Sequence, residues 1–198
     1  MKKKSIFRPG IWAVAIAIFL AGCAGMMSRP TEKNFKDPVI TLKHVEVHKY
    51  WGWWYFSAKV NPSKGKAGNY GAPLALAFIF KIKNPNEFAV MMEEMKFTVG
   101  FDEFDLDTVI LQESVWVPAK KTTELRAISV FDGRSALLSL MMTGGYRLKE
   151  KGWSPWHALE TFWIGIPDFS FPVHVKQGSA VFSADKIVKG VPFSATFE

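Results

Sequence analysis

The stretch that most constrains the fold is residues 74–101, LALAFIFKIKNPNEFAVMMEEMKFTVGF. Leu74, Leu76, Phe78, Phe80 and Ile82 fall on one face of a period-2 ladder, while Ala75, Ala77, Ile79, Lys81 and Lys83 fall on the other. Proline has no N–H for the ladder, so Asn84-Pro85-Asn86 should end the strand in a turn. A second alternation follows, with Met95, Phe97, Val99 and Phe101 set against Lys96, Thr98, Gly100 and Asp102. Two half-buried strands joined at a proline turn predict an antiparallel sheet.

The N-terminus carries a different kind of signal. Lys2, Lys3, Lys4 and Arg8 precede an unbroken apolar run at residues 11–20, IWAVAIAIFL. The run is far shorter than the ~20 residues a membrane span needs, and small residues follow it. Leu20-Ala21-Gly22-Cys23 resembles the lipobox of bacterial lipoproteins. That resemblance implies cleavage before Cys23 and acylation of Cys23, which is the only cysteine, so no disulfide can form within the chain. Ala24 after the cysteine resembles an outer-membrane address facing the periplasm. The expected organisation is a signal peptide at 1–22, a lipidated tether at 23–37 and one domain at 38–198. Without the four cations of the signal, 21 basic residues stand against 18 acidic ones, a formal +3. This is a mixed surface and not a nucleic-acid footprint.

Residues 39–48 alternate and are rich in β-branched residues, which predicts another strand. Residues 50–56, YWGWWYF, hold six aromatics in seven positions. Trp51, Trp53, Trp54 and Tyr55 are either a membrane-interface or partner-binding patch, or a core plug at one end of the fold. Residues 61–71 read as a polar glycine-rich loop. Short strands are expected at 109–111, 115–117 and 122–131, then a helix at 135–143 with Gly144 near its C-cap. Residues 157–166 and 169–182 read as late strands, the latter interrupted by Pro172. Six to eight short strands with one small helix predict an all-β sandwich.

The strand ending in Asn84-Pro85-Asn86, the Phe97-Thr98-Val99 strand after it and the later Pro118-Ala119 pair resemble the late embryogenesis abundant type 2 family, also called the WHy (water stress and hypersensitive response) domain. The aromatic block and its loop depart from that pattern. The resemblance implies an immunoglobulin- or fibronectin type III-like sandwich, no enzymatic activity, no cofactor, and a link to desiccation and stress tolerance.

Chemistry-bearing patterns are sparse. There is no G-x-S-x-G elbow and no phosphate-binding glycine loop. His44, Glu46 and His48 share a strand face, but the two histidines would stand about 13 Å apart at roughly 3.3 Å per residue. Zinc needs nitrogens at about 2.0–2.1 Å, so they cannot share an ion. Asp102, Glu103, Asp105 and Asp107 lack the glycine of a calcium loop and read as a solvated turn. His157 and His174 read as isolated structural residues. The expected function is a non-catalytic, lipid-anchored envelope module, stress-protective or interacting. The alternative is a periplasmic factor of outer-membrane assembly that binds a lipid or protein client. The membrane, through acylated Cys23, and an envelope protein or lipid are the expected partners.

Overall fold

The computed structural model describes residues 29–53 and 71–198. Among these residues eight strands form two antiparallel sheets. One sheet holds β1 (Val39–Tyr50), β2 (Leu74–Lys83) and β6 (Thr122–Phe131), with β2 in the centre. The other orders β4 (Phe104–Leu111), β3 (Val90–Phe101), β7 (Val173–Ala184) and β8 (Ile187–Phe197), and the short β5 (Val115–Val117) pairs with β3 beyond the end of β4. This is an antiparallel β-sandwich of the immunoglobulin/fibronectin type III kind.

The alternation that predicts β2 is what the sandwich buries. Leu74, Leu76, Phe78, Phe80 and Ile82 are all fully buried. Their partners come from the facing sheet. Phe78 and Phe80 meet Phe97 edge-on at 5.2 and 5.4 Å, and Phe80 meets Phe193 of β8 at 5.6 Å. Such T-shaped pairs add to plain area burial because ring edges and faces carry opposite partial charge.

The register gives the sandwich two distinct ends. At one, Lys83 pairs with Val39 and Thr122 beside the Asn84-Pro85-Asn86 turn. At the other, Leu74 pairs with Tyr50 and Phe131. Between β6 and β7 the chain caps this second end with three helices, α1 (Gly133–Thr143), α2 (Gly145–Lys151) and α3 (Pro155–Gly165), and a 3-10 turn (Ile166–Asp168). Phe101, Phe104, Phe131, Phe162, Phe171 and Trp163 pack beneath the cap as a second aromatic cluster.

Three local expectations are corrected. Residues 157–166 are not a strand, because Leu159, Phe162, Trp163 and Ile166 are buried at helical spacing. Ser154 caps that helix, its Oγ accepting the His157 N–H at 3.1 Å, and Pro155 occupies the first turn. The later strand begins only after Pro172, at Val173. The helix expected at 135–143 starts two residues earlier, where Asp132 accepts the N–H groups of Arg134 and Ser135 at 2.9 Å, and it ends at the C-cap Gly144. An added Cβ on Gly144 would stand 2.9 Å from the Phe104 ring, so helix and core meet closely there.

Candidate functional site

The turn residues Asn84 and Asn86 are 0% and 2% exposed. A buried amide must find partners for its donors and its acceptor. Asn84 Nδ2 donates to the carbonyls of Phe88 at 2.8 Å, Val117 at 3.0 Å and Pro118 at 3.2 Å. Its Oδ1 accepts from Asn86 N and Asn86 Nδ2, both at 2.9 Å. Asn86 then reaches the chain before β1. Its Oδ1 accepts Lys36 N–H and its Nδ2 donates to Lys36 O, each at 2.7 Å. Lys120, next to Ala119, donates its backbone N–H to Asn86 O at 3.1 Å and its Nζ to Pro85 O at 2.8 Å. The motif therefore ties three segments of backbone together: residues 34–37, the 84–88 turn and the Pro118–Ala119 turn. Phe35 is buried against Phe88, and Lys189 lies over its ring at 5.2 Å.

The acidic run divides by strand geometry. Asp102 and Glu103 form the turn between β3 and β4, with Asp102 at φ 51°. Asp105 and Asp107 point away from the buried Phe104 and Leu106. All four have partners. Lys151 of α2 pairs with Asp102 at 3.0 Å and with Glu103 at 3.4 Å, and these bonds hold its ammonium above its usual pKa. Arg147 donates to Glu103 O, and Ser129 donates to Asp107. Lys176 of β7 reaches Asp105 at 2.8 Å by crossing the intervening strand β3 at Gly100. An added Cβ on Gly100 would meet the Lys176 Nζ and Cε at 3.1 Å, so glycine opens the crossing.

The other sheet repeats this device. Arg126 of β6 reaches Glu46 and His48 of β1 across the central strand, where Ala77 stands opposite Glu46. In both sheets a long cation crosses the neighbouring strand to meet a carboxylate two strands away. His44, on the same β1 face, meets instead the Phe197 ring at 5.4 Å.

Asp102, Glu103, Arg147, His174 and Lys176 line an open notch of about 280 Å³. Burial first, and Lys176 second, hold the His174 pKa below 6.5, and its Nδ1 stands 3.0 Å from Thr196 Oγ1. The notch holds ion-paired side chains of both signs. Among the described residues no group of three His, Cys, Asp or Glu side chains is gathered as a metal site. His157 stacks edge-on against Trp153 at 5.2 Å.

The cap exposes apolar side chains. Leu138 is 57% exposed, Met141 58%, Met142 75% and Tyr146 75%. Helical bonds run through the α1–α2 junction, from Gly144 N–H to Leu140 O and from Leu148 N–H to Gly144 O. Spacings of three and four residues therefore align these four along one face. The described part of the aromatic block lies at the same end. Tyr50 is half-buried and its hydroxyl donates to Trp163 O, so burial raises its pKa. Trp53 packs on the core, and Lys49 lies 5.7 Å over Trp51. Trp54, Tyr55 and Cys23 lie outside the described residues. The sequence reading missed the exposed stripe, and the signal that marks it is Leu138, Met141 and Met142 at helical spacing opposite the buried Ala136 and Leu140.

No protein-family model matches the chain, and no curated protein matches it. Among solved structures the chain is similar to a protein from Archaeoglobus fulgidus, at 11% identity over 79% of this chain and 94% of that one, with a TM-score of 0.42. An X-ray structure of a structural-genomics target is similar at 9% identity, over 82% and 85% of the two chains, with a TM-score of 0.40. A protein from Bordetella pertussis is similar at 12% identity, over 82% and 94%, with a TM-score of 0.38.

Proposed function

We propose that this chain is a non-catalytic, lipid-anchored envelope protein of the WHy type, acylated at Cys23 and held at the outer membrane facing the periplasm. It serves as an interaction module, protective under desiccation or related stress. The carrying observation is the exposed stripe of Leu138, Met141, Met142 and Tyr146. It lies on the helical cap, at the end of the sandwich remote from the one where the chain arrives from Cys23. Exposed apolar area of several hundred Å² on one face is of the order that marks contact surfaces. Both asparagines of the NPN turn are occupied by backbone groups, which supports an architectural and not a catalytic role for the family motif.

The second reading, a factor of outer-membrane assembly that binds lipid or protein clients, is favoured by Met141 and Met142. Unbranched thioether side chains adapt to varied apolar partners.

A photo-crosslinking amino acid placed at Met142 in living cells tests the interaction role. Specific envelope adducts at Met142, absent from the same probe at Lys96 on the outer face of the second sheet, are expected. Equal labelling at both positions, or none at Met142, contradicts the reading.

A further inference from the structure

We infer that the NPN end of the sandwich is a seat for the anionic headgroups of a phospholipid bilayer, with the helical cap directed away from it. The inference rests on the lipid-anchor reading of Cys23 and adds an orientation to it. The described chain begins at Arg29, six residues after Cys23. Six residues span at most about 20 Å. Arg29 is already part of a folded strap, because its carbonyl accepts Asn34 Nδ2 at 2.9 Å. The strap is fixed in turn by the two Asn86–Lys36 bonds and by burial of Phe35. The acyl chains on Cys23 therefore hold this end, and not the cap, against the bilayer. The cap lies a full strand away, about 40 Å for the 12 residues of β1.

The charge at this end suits such a surface. Lys36, Lys83, Lys120, Lys121, Lys186 and Lys189 stand around the knot and on the adjoining strand ends. Lys43 and Lys81 lie at the same level, and the acidic residues of the domain there are Asp37, Glu87, Glu93, Glu94, Glu124 and Asp185, of which Glu87 is paired with Lys120 at 2.8 Å and Glu124 with Lys43 at 2.6 Å. In the strap, Lys33 is offset by Glu32. Cations thus keep a small excess at this end of a chain whose mature charge is only a formal +3. At the cap, by contrast, Lys151 and Lys176 are matched by Asp102, Glu103 and Asp105. Basic side chains held close to an anionic leaflet are attracted to it, and salt screens the attraction.

The test uses the full-length protein purified from membranes and reconstituted into phosphatidylethanolamine vesicles with or without phosphatidylglycerol. A thiol-linked dye is placed at Thr122→Cys on the NPN end or at Lys149→Cys on the cap, and quenching by a headgroup-level nitroxide lipid is read. Stronger quenching at 122 than at 149 in anionic vesicles is expected. That contrast should shrink, to what the tether alone maintains, in high salt, without phosphatidylglycerol, and in the Lys83→Glu/Lys121→Glu/Lys186→Glu protein, whose substitutions are all at exposed positions. Equal quenching at the two sites, stronger quenching at 149, or a contrast indifferent to salt and charge reversal overturns the seat. A failure of the anchor reading is seen separately, as loss of the unlabelled wild type from vesicles in high salt.

Discussion

Asn84 Oδ1 holds Asn86 twice, accepting both its backbone N–H and its Nδ2–H at 2.9 Å. The same side chain donates to three carbonyls, those of Phe88, Val117 and Pro118. In Asn84→Ala these buried acceptors lose their donor, and each unmade bond costs about 1–3 kcal/mol. The variant should lose about 2–4 kcal/mol of unfolding free energy, seen in urea as a lower midpoint with an unchanged slope. Asn84→Asp should fare no better, because it keeps the acceptor, loses the N–H donors that serve all three carbonyls and buries a charge. A midpoint equal to wild type in either variant would show the knot to be ornamental.

Phe80→Ala removes a ring packed on Phe78, Phe97 and Phe193. Truncation of a buried phenylalanine typically costs about 3–5 kcal/mol. Thermal unfolding should drop sharply, and a melting temperature within a degree or two of wild type would disprove the central place of this face.

Ser154→Ala deletes the N-cap of α3. The expected loss is about 1 kcal/mol, and Ser154→Asp should restore most of it by supplying another acceptor near the positive helix end. Equal losses in both variants would mean that Ser154 acts otherwise than as a cap.

His174 makes stability depend on pH. Its folded pKa lies below its ordinary 6.5, so the unfolded chain binds the proton more readily. The contribution is present above pH 6.5 and is lost as pH falls from there through the folded value. His174→Gln should flatten that part of the stability profile. A profile unchanged by the substitution would assign the acid sensitivity to other groups.

The sandwich was legible where large apolar residues mark one face, although Ala75 and Ala77 on the other face of β2 are buried as well. Leu74, Leu76, Phe78, Phe80 and Ile82 alternate with residues that become lysine toward the strand end, and period 2 reads directly as a face. Residues 157–166 were misleading because Phe162, Trp163 and Ile164 look like strand residues when read locally. Packing against Phe101, Phe104 and Phe131 sets their helical form, although Ser154-Pro155 is a start signal visible in the sequence. The charge crossings could not be read in advance. Lys176 and Asp105 are 71 residues apart, and only the strand order places Gly100 between them. The second role of Asn86 was hidden in the same way, since Lys36 lies 50 residues before it.

The central claim is that Cys23 carries the lipid that holds this module at the envelope. Intact mass measurement of the detergent-extracted protein tests it most directly. The account predicts a chain beginning at Cys23 and heavier than its amino-acid composition by a diacylglyceryl group and an amide-linked acyl chain. A membrane-extracted chain with an unmodified Cys23, or one whose N-terminus lies elsewhere, would contradict it.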